Sequence, residues 1–260
     1  IEIPKILYKY RDWNNNKHKR IITKQEVFYP SPTSFEDKYD CKIPIRYDLL
    51  THNEILNRFF ELSKLENRNL SSYEHMQIAI ENTATFDANA SNEKDLKRLH
   101  SQLGVLCLTT NPCNVHMWNE YANNHSGFCI GFAGTLLHGA LKTRCDKVNY
   151  YNDLPIILPS FKQTFKQQES LQVYSKLKKW EQEEEYRSFD FSYNPLKDSQ
   201  RTKKVPDFVY KEIIFGAKMP NEVIKKIIKI LLKKFEVISL KRAIVDGSDI
   251  QIIPYEFGSW

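Results

Sequence analysis

The chain has 260 residues, a formal net charge of +6 and an isoelectric point near 8.9. Its 41% hydrophobic and 27% charged residues are typical of a globular protein with a sizeable buried core. No apolar run approaches the ~20 residues that span a bilayer, and the first residues lack the apolar stretch of a signal peptide. We therefore expect no membrane partner, and the mild positive charge favours an anionic ligand such as a nucleotide.

The chain lacks several common site motifs. Its five cysteines are scattered without a CxxC pair: Cys41, Cys107, Cys113, Cys129 and Cys145. We therefore predict neither a disulfide framework nor a metal site. A reducing, cytoplasmic setting is the simplest interpretation. There is no GxGxxG motif and no P-loop, which argues against a Rossmann-type dehydrogenase and against an NTPase.

Alternating and helical patterns succeed one another along the first half. KILYKYRDW predicts a strand, and a second strand lies around Val27 to Tyr29, before a turn built on Pro30 and Pro32. From Tyr47 to Leu103, apolar residues three and four apart predict helices, with a break at residues 87–92. GVLCLTT then predicts a buried strand, VHMWNEYANNHSG a helix that ends at Gly127, and FCIGFAG another strand.

The second half continues with residues 161–180, which predict an amphipathic helix, and with EEYRSFDFSY, which predicts a strand. A β-α-β unit ends the chain: the strand FVYKEIIFGA, a helix EVIKKIIKILLKKF capped by Asn221, and the strand EVISLKRAIV. We expect that helix to pack on a sheet with its lysines in water. The fold class is α+β with a mixed sheet, in one domain of residues 1–260 that carries a helical insertion at 47–103.

Polar side chains concentrate in four segments: YKYR (8–11), SPTSF (31–35), MWNEYANNHSG (117–127) and EEEYR (183–187). In the third, Trp118, Tyr121 and His125 are three and four residues apart, so a continuous helix would place them on one face. Each segment also fits an ordinary structural role: an amphipathic strand, turn chemistry, a core face or a solvated helix end.

Taken together and in order, these segments resemble a widespread bacterial family. The motifs are LYKYR, FYPSPTSFEDKYDC, GVLCLTT, MWNEYANNHSGFCIGF, WxxExEYR and EIIFGAKM, which span Leu7 to about Met219. The family is catalogued as a domain of unknown function and is often found in phage-defence neighbourhoods. The chain departs from it at residues 36–38, where the family tends to have Asn-Asp-Pro, and at Tyr186, where it often has tryptophan.

The layout is also similar to the R-S-E arrangement of ADP-ribosyltransferases, which implies a split sheet and NAD as substrate. By that resemblance, Arg11 holds the dinucleotide, Ser31 and Thr33 shape the nicotinamide-ribose pocket, and Glu185 is catalytic, with Glu183 acting on the acceptor. The remaining candidate cofactor-binding residues are aromatic, histidine or arginine side chains of the same motifs: Tyr8, Tyr10, Trp118, Tyr121, His125 and Arg187.

Cleavage of NAD and transfer of its ADP-ribose call for carboxylates, an arginine and aromatic side chains. Loss of nicotinamide leaves oxocarbenium character on the ribose, which a fixed carboxylate stabilises. On a strand, Glu183 and Glu185 would share one face, and crowding should raise the pKa of one of them. An arginine binds diphosphate bidentately. Tyr8, Tyr10, Tyr121 or Trp118 could stack on a base.

We therefore expect a toxin or defence effector that transfers ADP-ribose to a protein or nucleic acid, or hydrolyses NAD, and that has a partner such as a defence protein or an antitoxin. One alternative is a nuclease that uses His125, Glu120 and the paired glutamates on RNA or DNA. Another is a non-catalytic nucleotide sensor that passes a signal to a partner protein.

Overall fold

The computed structural model of the protein describes residues 3–256. The remaining residues of the predicted domain, 1–2 and 257–260, lie outside the described residues. The strands are β1 (Ile6–Arg11), β2 (Glu26–Phe28), β3 (Leu103–Thr109), β4 (Phe128–Ala133), β5 (Arg144–Lys147), β6 (Asn149–Tyr151), β7 (Ser175–Leu177), β8 (Glu185–Phe191), β9 (Thr202–Lys204), β10 (Tyr210–Phe215), β11 (Ser239–Asp246) and β12 (Asp249–Pro254).

The α-helices are α1 (Arg20–Thr23), α2 (His52–Glu66), α3 (Ser72–Ala84), α4 (Ala88–Gln102), α5 (Val115–Glu120), α6 (Gly134–Leu141), α7 (Phe165–Tyr174), α8 (Asp198–Arg201) and α9 (Asn221–Lys234). Short 3₁₀ helices lie at Pro32–Ser34, Tyr47–Leu49, Lys178–Glu183 and Asp207–Val209. The α+β class with a large mixed sheet is thereby confirmed.

Eight strands form one sheet in the order β12-β11-β10-β4-β1-β3-β8-β5. β10 and β11 run parallel and are joined by α9, as expected of a β-α-β unit, whereas the other neighbours are antiparallel. β1 is registered with β4 along its whole length, from Ile6 opposite Ala133 to Arg11 opposite Phe128. Its pairing with β3 is limited to Tyr8 opposite Thr109, so the sheet opens beyond that point.

Apolar side chains cover both faces of this sheet. On one face, α9 buries Ile224, Ile227, Ile228 and Leu231 in the largest apolar cluster, which also contains Leu7 of β1. Each such side chain stabilises the fold by about 1.5–3 kcal/mol relative to an exposed one. The spacing of these residues puts the lysines of α9 on its other side, as the sequence predicted.

The opposite face carries a second cluster, in which Trp118 of α5 packs with Tyr8 and Tyr10 of β1. Tyr8 and Tyr10 therefore point away from Leu7, as the alternation of a strand requires. No helix within residues 3–256 is long and apolar enough to cross a membrane.

The predicted helical segment 47–103 contains α2, α3 and α4. Thr51 and Ser71 begin α2 and α3 with capping boxes to Glu54 and Glu74, and the Asp87 side chain caps α4. The predicted break falls at the start of α4. That this segment is an insertion into one domain stays a prediction.

In the second half of the chain, helix boundaries differ from the sequence prediction at two places. The helix expected over 161–180 is confined to Phe165–Tyr174, because the next residues form β7 and then a 3₁₀ helix. This extended segment carries the buried Lys176 to its carboxylate partners. Asn221 does not cap α9: Pro220 occupies the capping position, and the Asn221 side chain accepts a hydrogen bond from Arg242.

Gly216 offers a test of the packing between β10 and the turn before β4. A Cβ at this position would lie 2.1 Å from the carbonyl oxygen of His125. We expect Gly216→Ala to lower the free energy of unfolding by about 2–3 kcal/mol, because backbone must move to admit the methyl group. Urea unfolding monitored by circular dichroism measures the change.

The matched control is Gly139→Ala in α6, where an added Cβ meets no atom within 4 Å. This substitution should be neutral or raise stability by up to about 1 kcal/mol, since alanine favours the helix. Equal effects at the two positions would contradict the proposed clash.

Candidate functional site

A cleft of about 380 Å³ lies where β1 and β3 diverge. This volume is within the ~300–1,000 Å³ that is usual for small-molecule sites. The cleft is bordered by residues of β1, β3, α5, the segment 28–40 and the segment 176–185. Its charged and histidine lining residues are Lys9, Arg11, Glu36, Asp37, Asp40, His116, Glu120, Lys176, Glu183 and Glu185.

Lys176 is the centre of a buried charge network on one wall of the cleft. Its Nζ lies 3.1 Å from Glu185 Oε2 and 3.5 Å from Asp40 Oδ2, and it also donates to Glu183 Oε2. All four side chains are at least nine-tenths buried. One lysine thus holds three carboxylates together that would otherwise repel one another.

Arg187 supports this network from behind. Its side chain is fully buried and donates from Nε and Nη2 to the two carboxylate oxygens of Glu185, at 3.0 and 2.9 Å. Nη2 also lies 2.7 Å from Asp40 Oδ1, and Nη1 donates to the Val173 carbonyl at 2.7 Å. The two-point contact fixes the Glu185 carboxylate in position and orientation.

The charges decide the protonation state of Glu185. Burial alone would raise the pKa of Glu185, but Arg187 and Lys176 together hold it well below its usual range. In the opposite sense, the neighbouring carboxylates outweigh burial and raise the pKa of Lys176. The expectation that crowding would raise the pKa of one glutamate is therefore wrong for Glu185, because two cations share the space with the acids.

The backbone that presents the two glutamates is not a continuous strand. Glu183 ends a 3₁₀ helix, Glu184 has the left-handed conformation with φ 47°, and Glu185 begins β8. Glu183 and Glu185 nevertheless both line the cleft, while the exposed Glu184 accepts a hydrogen bond from Asn111. The predicted shared direction is correct, but a turn and not strand alternation produces it.

Two cations of β1 lie on the other wall. Lys9 and Arg11 share one face of the strand, and the Lys9 Nζ donates to the Cys107 carbonyl at 2.6 Å. The Arg11 guanidinium makes a long contact of 3.5 Å to the Tyr10 carbonyl. Within residues 3–256 neither cation has a carboxylate within 4 Å. Two cations without an acidic partner in a cleft fit an anionic ligand.

Aromatic side chains complete the cleft. Tyr121 donates from its hydroxyl to Glu183 Oε1 at 2.9 Å, and Trp180 donates from Nε1 to Asp37 Oδ2 at 2.5 Å. The hydroxyl of Tyr8 is held by Glu212 at 2.8 Å, and that of Tyr10 by the Asn111 carbonyl. The hydrogen bonds fix the rings, so the cleft offers preformed aromatic surfaces.

The structure brings together six of the residues that the sequence singled out: Tyr8, Tyr10, Arg11, Tyr121, Glu183 and Glu185. Ser31 and Thr33 do not line the cleft. The Ser31 hydroxyl donates to the His100 carbonyl and caps the 3₁₀ helix of residues 32–34, which matches the alternative interpretation as turn chemistry. Ser34 of the same turn lines the cleft instead.

Trp118 and His125 also lie away from the cleft, and α5 ends at Glu120, before His125. His125 follows in the left-handed conformation with φ 68°, so Trp118, Tyr121 and His125 do not share a helical face. Trp118 is fully buried, edge-on to Tyr10, and its ring stacks on that of His125. Both are core residues, and Arg187 acts from behind Glu185.

The sequence did not identify Lys9, Asp40, His116, Lys176 or Trp180 as site residues. Lys9 and Asp40 lie inside the YKYR and EDKYDC motifs, and Trp180 begins WxxExEYR. Lys176 and His116 stand in segments with helical patterns, where a charged residue indicates a solvated face. Within residues 3–256, no group of three or more histidine, cysteine or acidic side chains is arranged to hold a metal ion.

A family model matches part of the chain. Residues 117–188 contain a DUF2971 domain, described as a protein of unknown function. The matched segment supplies Tyr121, Lys176, Glu183, Glu185 and Arg187, which form the acidic wall of the cleft. No curated protein and no solved structure matches the chain.

Removal of the central lysine tests the charge network. We expect Lys176→Met to lower the free energy of unfolding by about 3–5 kcal/mol at pH 7, because Asp40, Glu183 and Glu185 keep only one cation, Arg187. Urea unfolding measures the loss. The control Lys179→Met removes an exposed lysine three residues away and should change stability by less than about 0.5 kcal/mol.

The same variant has a defined pH dependence. The lowered pKa of Glu185 means that its stabilising contribution is complete above the unfolded value of about 4.3 and is lost as the pH falls toward the folded value. Lys176→Met loses much of that contribution at neutral pH. The stability difference between wild type and variant should therefore shrink below about pH 4; a difference that is constant from pH 7 to pH 3 would contradict the assigned ion pairs.

Proposed function

We propose that the cleft binds NAD and that the protein transfers ADP-ribose from it to an acceptor, which is a macromolecule or water. One observation supports the proposal above all: Lys9 and Arg11, which have no carboxylate within 4 Å among residues 3–256, line one wall of the cleft, and ionised, fixed carboxylates line the other. The diphosphate binds to the cations, and the nicotinamide ribose lies beside Glu185 and Glu183.

Glu185 has the properties that an oxocarbenium-like transition state requires. Its lowered pKa keeps it ionised at neutral pH, and Arg187 holds both of its oxygens in place. A preorganised carboxylate stabilises positive charge that develops on the ribose without reorganising during the reaction. Because nicotinamide leaves as a neutral molecule, no acid is needed for the leaving group.

The sheet topology supports the same proposal. The single registered pair between β1 and β3 separates five strands from three, with the cleft at the opening. This arrangement is similar to the split sheet of ADP-ribosyltransferases. Arg11 on the early strand and Glu185 on β8 take positions on opposite sides of the opening. A setting in bacterial phage defence, with a toxin role and a regulating partner, belongs to the proposal through the sequence resemblance.

A second candidate is a nucleotide sensor that uses the same cleft without turnover. It is favoured by the contacts of Glu185, whose two oxygens are already occupied by Arg187 and Lys176. The nuclease alternative keeps Glu120 in the cleft but loses His125, which lies in the core.

Turnover of NAD labelled separately in nicotinamide and adenine distinguishes these functions. For a transferase or hydrolase, wild type releases nicotinamide, and Glu185→Gln should be slower by about 10²–10³-fold, because the charge that stabilises the ribose cation is lost. The control Glu181→Gln changes an exposed glutamate of the same acidic run and should turn over as wild type does. Circular dichroism and thermal unfolding check that each variant is folded.

The adenine label shows where ADP-ribose goes. Label in protein or nucleic acid of an added lysate indicates a transferase, whereas free ADP-ribose indicates a hydrolase. Binding of NAD without release of nicotinamide, and with affinity unchanged in Glu185→Gln, would support the sensor and contradict the enzyme.

The pH dependence of ADP-ribose binding tests the cationic wall. Burial and the nearby Arg11 lower the pKa of Lys9 to about 8. An anionic ligand binds the protonated form, so affinity should be constant below about pH 7 and fall by about tenfold as the pH rises from 7.5 to 9.5. Isothermal titration calorimetry measures this change, since the diphosphate of ADP-ribose does not titrate in this range.

Two variants complete this test. Lys9→Met should bind ADP-ribose weakly and with no pH dependence between pH 7 and 9.5. Lys5→Met, which changes an exposed lysine just before β1, should keep the wild-type profile. A wild-type profile that is flat across this range would remove Lys9 from the binding site.

A further inference from the structure

His116 lines the cleft but takes no part in the NAD reaction proposed above. It lies in α5, and its Nε2 is enclosed by protein without a hydrogen-bond partner among the described residues. Oε1 of Glu183 lies 3.9 Å from it. This separation is too long for a hydrogen bond, but a shift of about 1 Å would make one. A buried, unpartnered ring nitrogen that faces a carboxylate calls for an explanation.

The Glu183 carboxylate is held so that it faces His116. Its Oε1 accepts a hydrogen bond from Tyr121, and its Oε2 is bound by Lys176. Oε1 is thus the oxygen that Tyr121 and His116 share. Glu185 is less suited to receive a proton, because Arg187 and Lys176 occupy its oxygens and lower its pKa.

Part of the His116 side chain reaches the solvent. The side chain is 27% exposed although Nε2 is enclosed, so atoms other than Nε2 provide the exposed surface. A neutral imidazole can accept a proton at one ring nitrogen and release one from the other. His116 therefore connects a carboxylate inside the cleft with the bulk solvent.

We propose that His116 is a proton relay for Glu183; this inference rests on the proposed function. In the transfer step, the acceptor oxygen forms a bond to the ribose C1′, and the bond from C1′ to nicotinamide breaks, with its electron pair leaving on neutral nicotinamide. The proton of the acceptor hydroxyl or water passes to Glu183. From Glu183 it passes to His116 Nε2, while the proton on Nδ1 goes to solvent.

Other charged groups lie near Glu183 and His116. Lys176 lies between Glu183 and Glu185, and Glu120 lines the cleft from the end of α5. In the proposed cycle, Glu183 returns to its starting state when it passes the proton to His116. Tyr121 keeps the Glu183 carboxylate in one orientation through its hydrogen bond to Oε1. His116 acts through Glu183 and is a positioning and relay residue.

Chemical rescue tests the relay in the functioning protein. With water as the acceptor, His116→Ala should lower kcat for nicotinamide release by about 10²-fold and leave the KM for NAD within about twofold. Added imidazole should restore at least a tenth of the lost rate, because the missing ring occupied a place that opens to solvent. The control His52→Ala changes an exposed histidine of α2 and should show neither effect. A wild-type kcat in His116→Ala, or a slow variant that imidazole does not rescue, would overturn the relay.

A measurement that does not depend on turnover separates failure of the relay from failure of the proposed function. If wild type releases no nicotinamide, the proposed function fails, and ¹⁵N NMR of the imidazole decides on the coupling. The ¹⁵N chemical shift of His116 Nε2, measured at one fixed pH, should change in Glu183→Gln, since the negative charge 3.9 Å from this nitrogen is removed. The ring nitrogens of His52 should keep their chemical shifts. An unchanged chemical shift at His116 Nε2 would overturn the relay whether or not the protein turns over NAD.

Discussion

The structure around the cleft depends on one constraint: three carboxylates and two cations are buried together, and each carboxylate needs a cation in contact with it. Lys176 and Arg187 provide the positive charges for Asp40, Glu183 and Glu185. A buried pair of this kind contributes little net stability by itself, because desolvation opposes the attraction, but the loss of one member leaves a buried charge without compensation. The local backbone follows from this requirement. The chain leaves the helical conformation after Tyr174 to bring Lys176 inward, and a left-handed residue separates the two glutamates so that both reach the same lysine.

The incomplete pairing of β1 with β3 is the second determinant of the site. Had the two strands remained registered, their backbone groups would have filled the space that the cleft occupies. Instead the Lys9 side chain hydrogen-bonds to the Cys107 carbonyl, and the Pro30 carbonyl accepts from Val105 N. The edge of β3 is therefore satisfied in part by a side chain and by a turn, which leaves room for a ligand. The same opening separates the cationic residues of β1 from the acidic residues near β8, so one wall of the cleft is positive and the other is an acidic network bound to two cations.

The sequence predicted the elements and much of the site, but not the contacts that organise it. Alternation identified β1, β3, β4, β8 and β10, and helical spacing identified α2 to α4 and α9, because those patterns are local. Tyr121 and Glu185 were found because aromatic and acidic residues clustered in short motifs. His125 was misplaced because the chain leaves the helix after Glu120 and then passes through three consecutive residues with positive φ, which helical spacing does not reveal. Trp118 lies within α5 but packs into the buried cluster with Tyr8 and Tyr10. Lys176 and Asp40 are 136 residues apart in sequence, and only the tertiary fold shows that they form an ion pair.

The division of the site along the chain limits what the DUF2971 match can explain. Residues 117–188 carry Tyr121, Lys176, Glu183, Glu185 and Arg187, whereas Lys9, Arg11 and Asp40 come from the first 40 residues. The matched segment alone would have two buried cations for two glutamates, and it would lack the cationic wall. Asp40 then adds a third carboxylate that contacts both Lys176 and Arg187. The segment before β3 is therefore part of the site and not merely attached to it. Asp40 of this segment and Glu185 of the matched segment both bind Arg187. The folding of the two segments is therefore coupled, because Arg187 has its complete set of partners only when both segments are in place.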